Sequence, residues 1–373
     1  VLEHESPGIL SPDGVHFEIT VPVVVVGAGA CGLIAAMAVQ EAGAEVLVLE
    51  RDSTPFGSTG LSSGMIPAAG TRAQQRKGVQ DTPELLISDI LAKNRQTARA
   101  DIVEAVARAS GPTVDWLSEE RGVPLELVEG FLYPGTSRMR MHAPPEVSGT
   151  ALMQSLQSAV ERSGVEILTD AQVATLFATP KGRIAGVRIQ RPDGSEETIG
   201  TDSLILACNG FGGNPSMVRR FIPEMKDALY FGHPGNQGEA LIWGETLGAA
   251  TEHLGSYQGH GSVAHPHSIL ITWAIMMEGG IQVNAAGQRF SDEHVGYSEQ
   301  AFLVLRQPGG MAWNIYDARL HELGLGFEDY RQAESSGAIV RAETVTELAD
   351  ILGLPARLEK TVGETQELAR NGE

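Results

Sequence analysis

The residues best suited to chemistry stand close to the start of the sequence: Gly27-Ala28-Gly29-Ala30-Cys31-Gly32, followed about 20 residues later by Glu50. At this spacing Gly27 allows a tight turn, Gly29 lets backbone approach a pyrophosphate, and Gly32 permits a helix to lie against a strand. A helix beginning here offers aligned N–H groups and the positive end of its dipole to a phosphate. Glu50 is placed to accept from ribose hydroxyls. Cys31, inside the motif, reads as a small packing residue and not as a nucleophile.

The elements that must position these residues follow from apolar patterning. Val21–Val26 reads as a buried parallel strand, Cys31–Ala42 as a helix packed close on a sheet, and Glu45–Leu49 as the next strand. Strand, helix and strand in about 30 residues make a βαβ unit and a parallel sheet. Helical spacing continues through Thr82–Ser110, Thr113–Arg121 and Gly149–Ser163, the last opened by Ser148. Val165–Thr169 returns to strand. Val173–Phe177, Arg183–Arg191 and Glu197–Gly200 form a β-meander, and Ser203–Ala207 is an apolar strand running into a glycine-rich turn. Beyond about Leu254 the texture shifts to His, Gly and aromatic residues, and Thr344–Glu373 is helical again.

A length of 373 residues exceeds what one core usually serves, so two domains are expected. The net charge of -20 repels nucleic acid and anionic lipid. Two cysteines, Cys31 and Cys208, cannot supply a disulfide framework or a metal cluster and point to a cytoplasmic setting. No apolar run approaches the roughly 20 residues that span a bilayer, and Val1–Thr20 lacks the pattern of a leader.

The glycine motif alone does not separate NAD from FAD. The Ser/Gly-rich loop Pro55-Phe56-Gly57-Ser58-Thr59-Gly60-Leu61-Ser62-Ser63-Gly64-Met65-Ile66-Pro67-Ala68-Ala69-Gly70-Thr71 does, since it can bring N–H and O–H donors to a second phosphate and flat backbone to a flavin ring. With Leu204–Asn214, Gly238-Glu239-Ala240 and Gly279–Phe290, this loop resembles the FAD-dependent fumarate reductase and succinate dehydrogenase flavoproteins, a family that includes 3-ketosteroid dehydrogenases and urocanate reductases. The resemblance runs from Val23 to about Glu373. It implies an α/β protein with a Rossmann-type FAD-binding domain over 1–254, holding a parallel sheet and the meander near 173–200, plus an α+β capping domain over 255–373. A closing segment that the family carries farther on is missing from this sequence, which reads as a fragment. Cofactor contacts are implied at Gly27, Gly29, Ala30, Gly32, Glu50, Arg51, Ser58, Thr59, Ser62, Ser63, Gly64, Val173, Ala207, Asn209, Gly210 and Gly238. Quinone-linked members attach FAD through a His where this sequence has Ser58, so noncovalent FAD is expected. Cys208-Asn209 replaces the family's Thr-Gly, and Asn209 is expected to offer an amide there.

The resemblance also marks differences at the catalytic positions. His260, in Gln258-Gly259-His260, matches the family's His. The Glu and Arg of the fumarate proton relay become Trp273 and Met276, and the proton-delivering Arg becomes Tyr297. With those guanidiniums gone, a small dianion is a poor substrate. Tyr297 is similar instead to the tyrosine of 3-ketosteroid dehydrogenases, and it needs help from His260 or His294 to act as a base at neutral pH. The expectation is an enzyme exchanging hydrogen across a carbonyl-activated C–C bond, with Tyr297 and His260 catalytic and Trp273, Met276 and Arg289 near a larger, less charged substrate. Arg289 also suits a structural role, and Tyr297 a packing role. Arg138, Arg140 and His142 share one side if extended, and could serve a dicarboxylate reductase or face solvent. His265 and His267 lack partners at ligand spacing, so no metal is expected. Without haem or iron–sulfur ligands, electrons pass to a separate partner. A non-catalytic flavin-binding subunit is the reading from another class.

Overall fold

A computed structural model describes residues 8–130 and 132–371. The first seven residues of the leader reading and the last two of the C-terminal helical stretch lie outside them. The chain forms two compact units: one takes the chain up to Met65, Trp116–Leu125 and Ser148–Ser256, the other Ile66–Asp115, Glu126–Val147 and the chain from Tyr257 onward. The sequence placed everything up to 254 in one domain. Residues 66–115 and 126–147 depart from that division because their partners lie in the second unit, as when Lys93 pairs with Glu299 at 2.7 Å.

The first unit is built on a four-stranded parallel sheet in the order Ser203–Leu206, Val23–Val26, Val46–Leu49, Glu166–Leu168. The helix Ala30–Glu41 connects the middle two strands, as the apolar pattern requires. Gly149–Arg162 begins where Ser148 Oγ accepts from the Ala151 amide, at 3.4 Å. The meander strands Gln172–Ala178, Ile184–Gln190 and Glu196–Gly200 are antiparallel, and Gly8–Leu10 and Ile19–Thr20 join its edges in parallel. Those edge strands carry too few residues to show in the sequence. Val24, Val26, Leu47 and Leu49 share one core with Val173, Leu176, Val187, Ile189 and Trp243, which fastens the two sheets together.

In the second unit Ile66–Pro67, Met141–Ala143 and Glu126–Leu127 form a small antiparallel sheet, and Ile281–Val283 pairs with Trp313–Ile315. The helices here differ from expectation. Pro83–Lys93 stops at Asn94, Arg95 and Gln96 take left-handed φ of 56° and 63°, and a second helix, Ala100–Glu119, runs straight through Gly111-Pro112. Thr97 supports the break, its amide and hydroxyl both bonding Asn94. Gly111 stays in the helix because it lies against backbone: a Cβ there would stand 2.3 Å from the Ala69 carbonyl oxygen. Near the C-terminus Val345–Leu352 and Arg357–Asn371 are separated at Gly353, φ 67°, and both pack on Ile281, Val283 and Ile315.

Candidate functional site

The strand Val23–Val26 delivers the chain into Gly27, whose φ of 102° suits glycine and whose Cβ would stand 2.6 Å from the Ala207 carbonyl oxygen. A Cβ on Gly32 would lie 1.9 Å from the Gly27 carbonyl oxygen, so helix and turn touch through backbone alone. Gly29 differs: its nearest neighbour would be Thr59 Oγ1 at 3.7 Å, and as N-cap it provides the helix with no side-chain cap. An uncapped helix start beside an open glycine leaves N–H groups for an anion. Ala30 N–H bonds Thr59 Oγ1 at 3.2 Å. Buried Glu50 is locked by Ala28 N–H on Oε2 at 2.8 Å and by Asp52 N–H on Oε1 at 3.1 Å, and both oxygens keep a lone pair for a hydroxyl. These features fit the pyrophosphate and adenosine ribose of a dinucleotide.

The Ser-rich loop is folded on its own hydroxyls. Ser62 Oγ donates to the Thr59 carbonyl at 2.7 Å and accepts from Gly64 N–H at 3.0 Å, while the Ser62 carbonyl accepts from Gly149 N–H at 2.7 Å. Gly64, φ 66°, lies against the Ser148 carbonyl, and Ser63 beside it is half-buried. Ser58 Oγ accepts from His233 N–H at 3.1 Å and from Asn236 Nδ2 at 3.0 Å, and Asn236 also reaches Tyr230 Oη at 2.6 Å. Arg51, expected among the cofactor contacts, directs its guanidinium to Glu239 at 2.8 Å and the Gly235 carbonyl at 2.9 Å. His233 and Asn236 have no signal in the sequence, because their partner Ser58 is about 180 residues away in the chain.

At the second turn Ala207 N–H bonds the Val26 carbonyl at 2.8 Å. Asn209 is left-handed, φ 67°, and its Oδ1 accepts from Gly210 N–H at 3.0 Å, so that oxygen serves the turn. Gly210 is open, and Gly238, φ 91°, starts the helix Glu239–Thr246 against Met217 Sδ. Val173 has its side chain in the core, which leaves only backbone for a ligand. Burial, then the neighbouring Glu239 carboxylate, pushes the Cys208 thiol up to about 11; Cys31 is exposed.

In the second unit the helix Tyr297–Leu305 follows Gly296 at φ 121°, which puts Tyr297 at the first helical position. Its ring stacks on His260 at 5.1 Å between centroids and 24° between planes, and its Oη accepts from Gln258 Nε2 at 3.0 Å. Tyr133 meets the same ring edge-on at 6.2 Å. Tyr133 stands in a loop with no motif, and only the fold brings it here. Burial lowers the His260 pKa to about 4, and the Ser262 amide donates to Nδ1 at 3.2 Å, so the ring is neutral with its proton on Nε2. The expected cationic help for Tyr297 is therefore absent at neutral pH, and the hydrogen bond comes from Gln258 instead. His294 is exposed and faces the Met277 carbonyl at 3.2 Å.

Trp273 and Met276, expected near the substrate, are both 1% exposed; the helix Ala274–Met277 is largely buried, with Trp273 edge-on to His260. Arg289 forms a two-point ion pair with buried Glu293, whose Oε1 also accepts from Gln282 N–H at 2.8 Å. Arg140 is fully buried, bidentate to Asp81 at 2.8 and 2.9 Å and paired with Asp89, which uses up its guanidinium. His142 is buried and bonds Thr71 Oγ1 at 2.8 Å, while exposed Arg138 caps the Gln80 and Ser137 carbonyls. The three do not form one anion site. His265 and His267 are exposed, and no cluster of three metal-capable side chains occurs among the described residues.

Comparison with known proteins agrees with this geometry. A probable fumarate reductase of Shewanella frigidimarina is 29% identical over 349 residues, covering 92% of this chain and 58% of its own length. The open conformation of a flavocytochrome c3 fumarate reductase superposes with a TM-score of 0.78 at 27% identity, covering 96% of this chain and 63% of that one. A 3-ketosteroid-Δ4-(5α)-dehydrogenase from Rhodococcus jostii RHA1 shares the fold, with a TM-score of 0.74 at 24% identity over 99% of this chain and 81% of that one. The chain thus spans less than two thirds of the length of the fumarate reductases it matches. Residues 22–366 match the FAD binding domain family, and the chain belongs to that family, with FAD as its cofactor.

Proposed function

We propose that this chain is the FAD-binding part of an oxidoreductase that exchanges hydrogen across a C–C bond next to a carbonyl, with Tyr297 handling the proton. The first unit holds FAD noncovalently: Ser58 has no nucleophilic ring nitrogen for a flavin link, and the cradle of Gly27, Gly29, Gly32 and Glu50 needs none. Bound FAD supplies the two-electron exchange. In the second unit one observation carries the reading: Tyr297 Oη accepts from Gln258 Nε2 while its ring lies on a neutral His260. A donor on the phenolic oxygen holds that atom in place, as a group that exchanges a proton with a substrate requires.

The relatives' names include fumarate and 3-ketosteroid as substrates. A dicarboxylate reading needs free guanidiniums, and Arg140 and Arg289 are both held by carboxylates. A carbonyl-activated, uncharged substrate is favoured. Two cysteines supply no iron–sulfur ligand set within this sequence, and among the described residues no helix is long and apolar enough to cross a membrane. Two free thiols keep the cytoplasmic setting as our reading.

The test is anaerobic reduction of the FAD-loaded protein, then reoxidation by cyclohex-2-enone, 4-androstene-3,17-dione or fumarate. Reoxidation by an enone, lowered at least about 100-fold in Tyr297→Phe, is expected. Fast reoxidation by fumarate alone, or an unchanged Tyr297→Phe, would sink the proposal.

A further inference from the structure

Lys93 closes the helix Pro83–Lys93, and its side chain reaches two separate stretches of the second unit. Its Nζ donates to the Val295 carbonyl and pairs with Glu299 Oε1 at 2.7 Å. Both acceptors flank Gly296, and a Cβ on Gly296 would stand 3.1 Å from Nζ and 2.8 Å from Glu299 Oε2. The aliphatic stem crosses Gly135, where a Cβ would meet Cδ at 2.8 Å and Cγ at 2.9 Å. Gly135 lies in the turn Tyr133–Thr136, closed by the Thr136 amide and hydroxyl on the Tyr133 carbonyl at 3.0 and 2.7 Å. One lysine thus holds the backbone before Tyr297 and the turn that carries Tyr133, the ring packed edge-on against Tyr297.

The electrostatics argue that geometry, not stability, is what Lys93 provides. An ammonium at the start of the helix Tyr297–Leu305 opposes that helix's dipole, and Glu299 in the first turn offsets it. The pair is more than a third exposed on both sides, 36% and 46%, and such a pair adds little to folding. Tyr297 sits at the first helical position, so its ring direction follows the Val295–Gly296 backbone.

We infer that Lys93 is a positioning residue that fixes the ring of Tyr297 by clamping the Val295–Gly296 turn and the Gly135 turn together. The inference deepens the role given to Tyr297 under the proposed function, and its test separates the two. The full chain, loaded with FAD, is produced with 3-fluorotyrosine at its six tyrosines, and the 19F line of Tyr297 is identified by its loss in Tyr297→Phe. In Lys93→Met the Tyr297 line shifts and broadens, as does that of Tyr133, while the other lines and the FAD spectrum stay in place. Lys93→Arg restores both lines, since a guanidinium still reaches the carbonyl and the carboxylate. Gly135→Ala, which displaces the same stem without removing the charge, reproduces the change. With cyclohex-2-enone as oxidant, Lys93→Met lowers kcat about tenfold with KM within about twofold, the mark of misplacement and not of lost binding. A Tyr297 line unchanged in Lys93→Met overturns the inference. Normal turnover in Tyr297→Phe with a shifted line in Lys93→Met overturns the proposed function and leaves the clamp standing.

Discussion

Gly32→Ala sets two physical effects against each other, and the structure decides the sign. Gly32 is inside the helix Ala30–Glu41, where alanine is favoured over glycine by about 1 kcal/mol. Its Cβ, however, would stand 1.9 Å from the Gly27 carbonyl oxygen and 3.3 Å from Ala207 Cβ. The first neighbour is backbone that cannot rotate away, so the helix must move more than about 1 Å off the turn to restore ordinary contact. Overpacking of this kind costs about 1–3 kcal/mol and exceeds the propensity gain. The same displacement draws the helix N-terminus away from the phosphate position, so FAD affinity falls by about tenfold or more. Gly244→Ala is the control: also helical, its nearest neighbour would be Ala249 Cβ at 3.7 Å, and it should gain about 0.5–1 kcal/mol with unchanged FAD binding. Thermal unfolding and FAD titration by fluorescence quenching read both variants. A Gly32→Ala protein that melts at or above the wild type and binds FAD as tightly refutes the steric argument.

Arg140→Met leaves Asp81 buried without its counter-charge and should cost about 3–5 kcal/mol in thermal unfolding; a change below about 1 kcal/mol would show that the pair is not desolvated. Burial alone raises the Asp89 pKa, but the hydrogen bonds from Arg140 and Ser137 outweigh it and hold the carboxyl below its usual range. The unfolded state therefore binds this proton first, and the stability Asp89 contributes is present above about pH 4 and lost as pH falls further. His260 acts in the same direction at higher pH: with a folded value of about 4, below the ordinary 6.5, stability falls as pH drops from about 6.5 toward 4, and His260→Phe should flatten that slope in a denaturant series. At pH 8 Ellman's reagent should label Cys31 quickly and Cys208 only after unfolding; two fast thiols in the native protein would contradict the raised Cys208 pKa.

Local order along the chain was legible wherever a pattern carries its own cause. The apolar run before Gly27, the small-residue helix after it and the alternation of the meander each fix a local conformation, and strand, helix and strand appear within a few residues of where the sequence put them. Gly32 was legible for the same reason, since its contact with the Gly27 carbonyl lies within that one motif, whereas the Ala207 carbonyl that lies against Gly27 comes from a distant stretch of the chain. Helix breaks were not: Gly111-Pro112 looked like a stop, yet the close approach to Ala69 keeps that glycine in the helix, while the actual break at Asn94–Thr97 depends on left-handed residues with no strong marker.

Which residue types stand in the chain, Trp273, Met276 and Tyr297 among them, was settled by sequence alone. Tertiary structure decided what those residues can do. Trp273 and Met276 are buried, and Arg140 and Arg289 are ion-paired with Asp81 and Glu293. Tyr133, Lys93 and Gln258 came to Tyr297 from positions up to about 200 residues away, where no spacing rule reaches. The physical reason is common to all of them. A side chain's type is local, whereas its charge state, exposure and partners are set by whatever the fold packs against it.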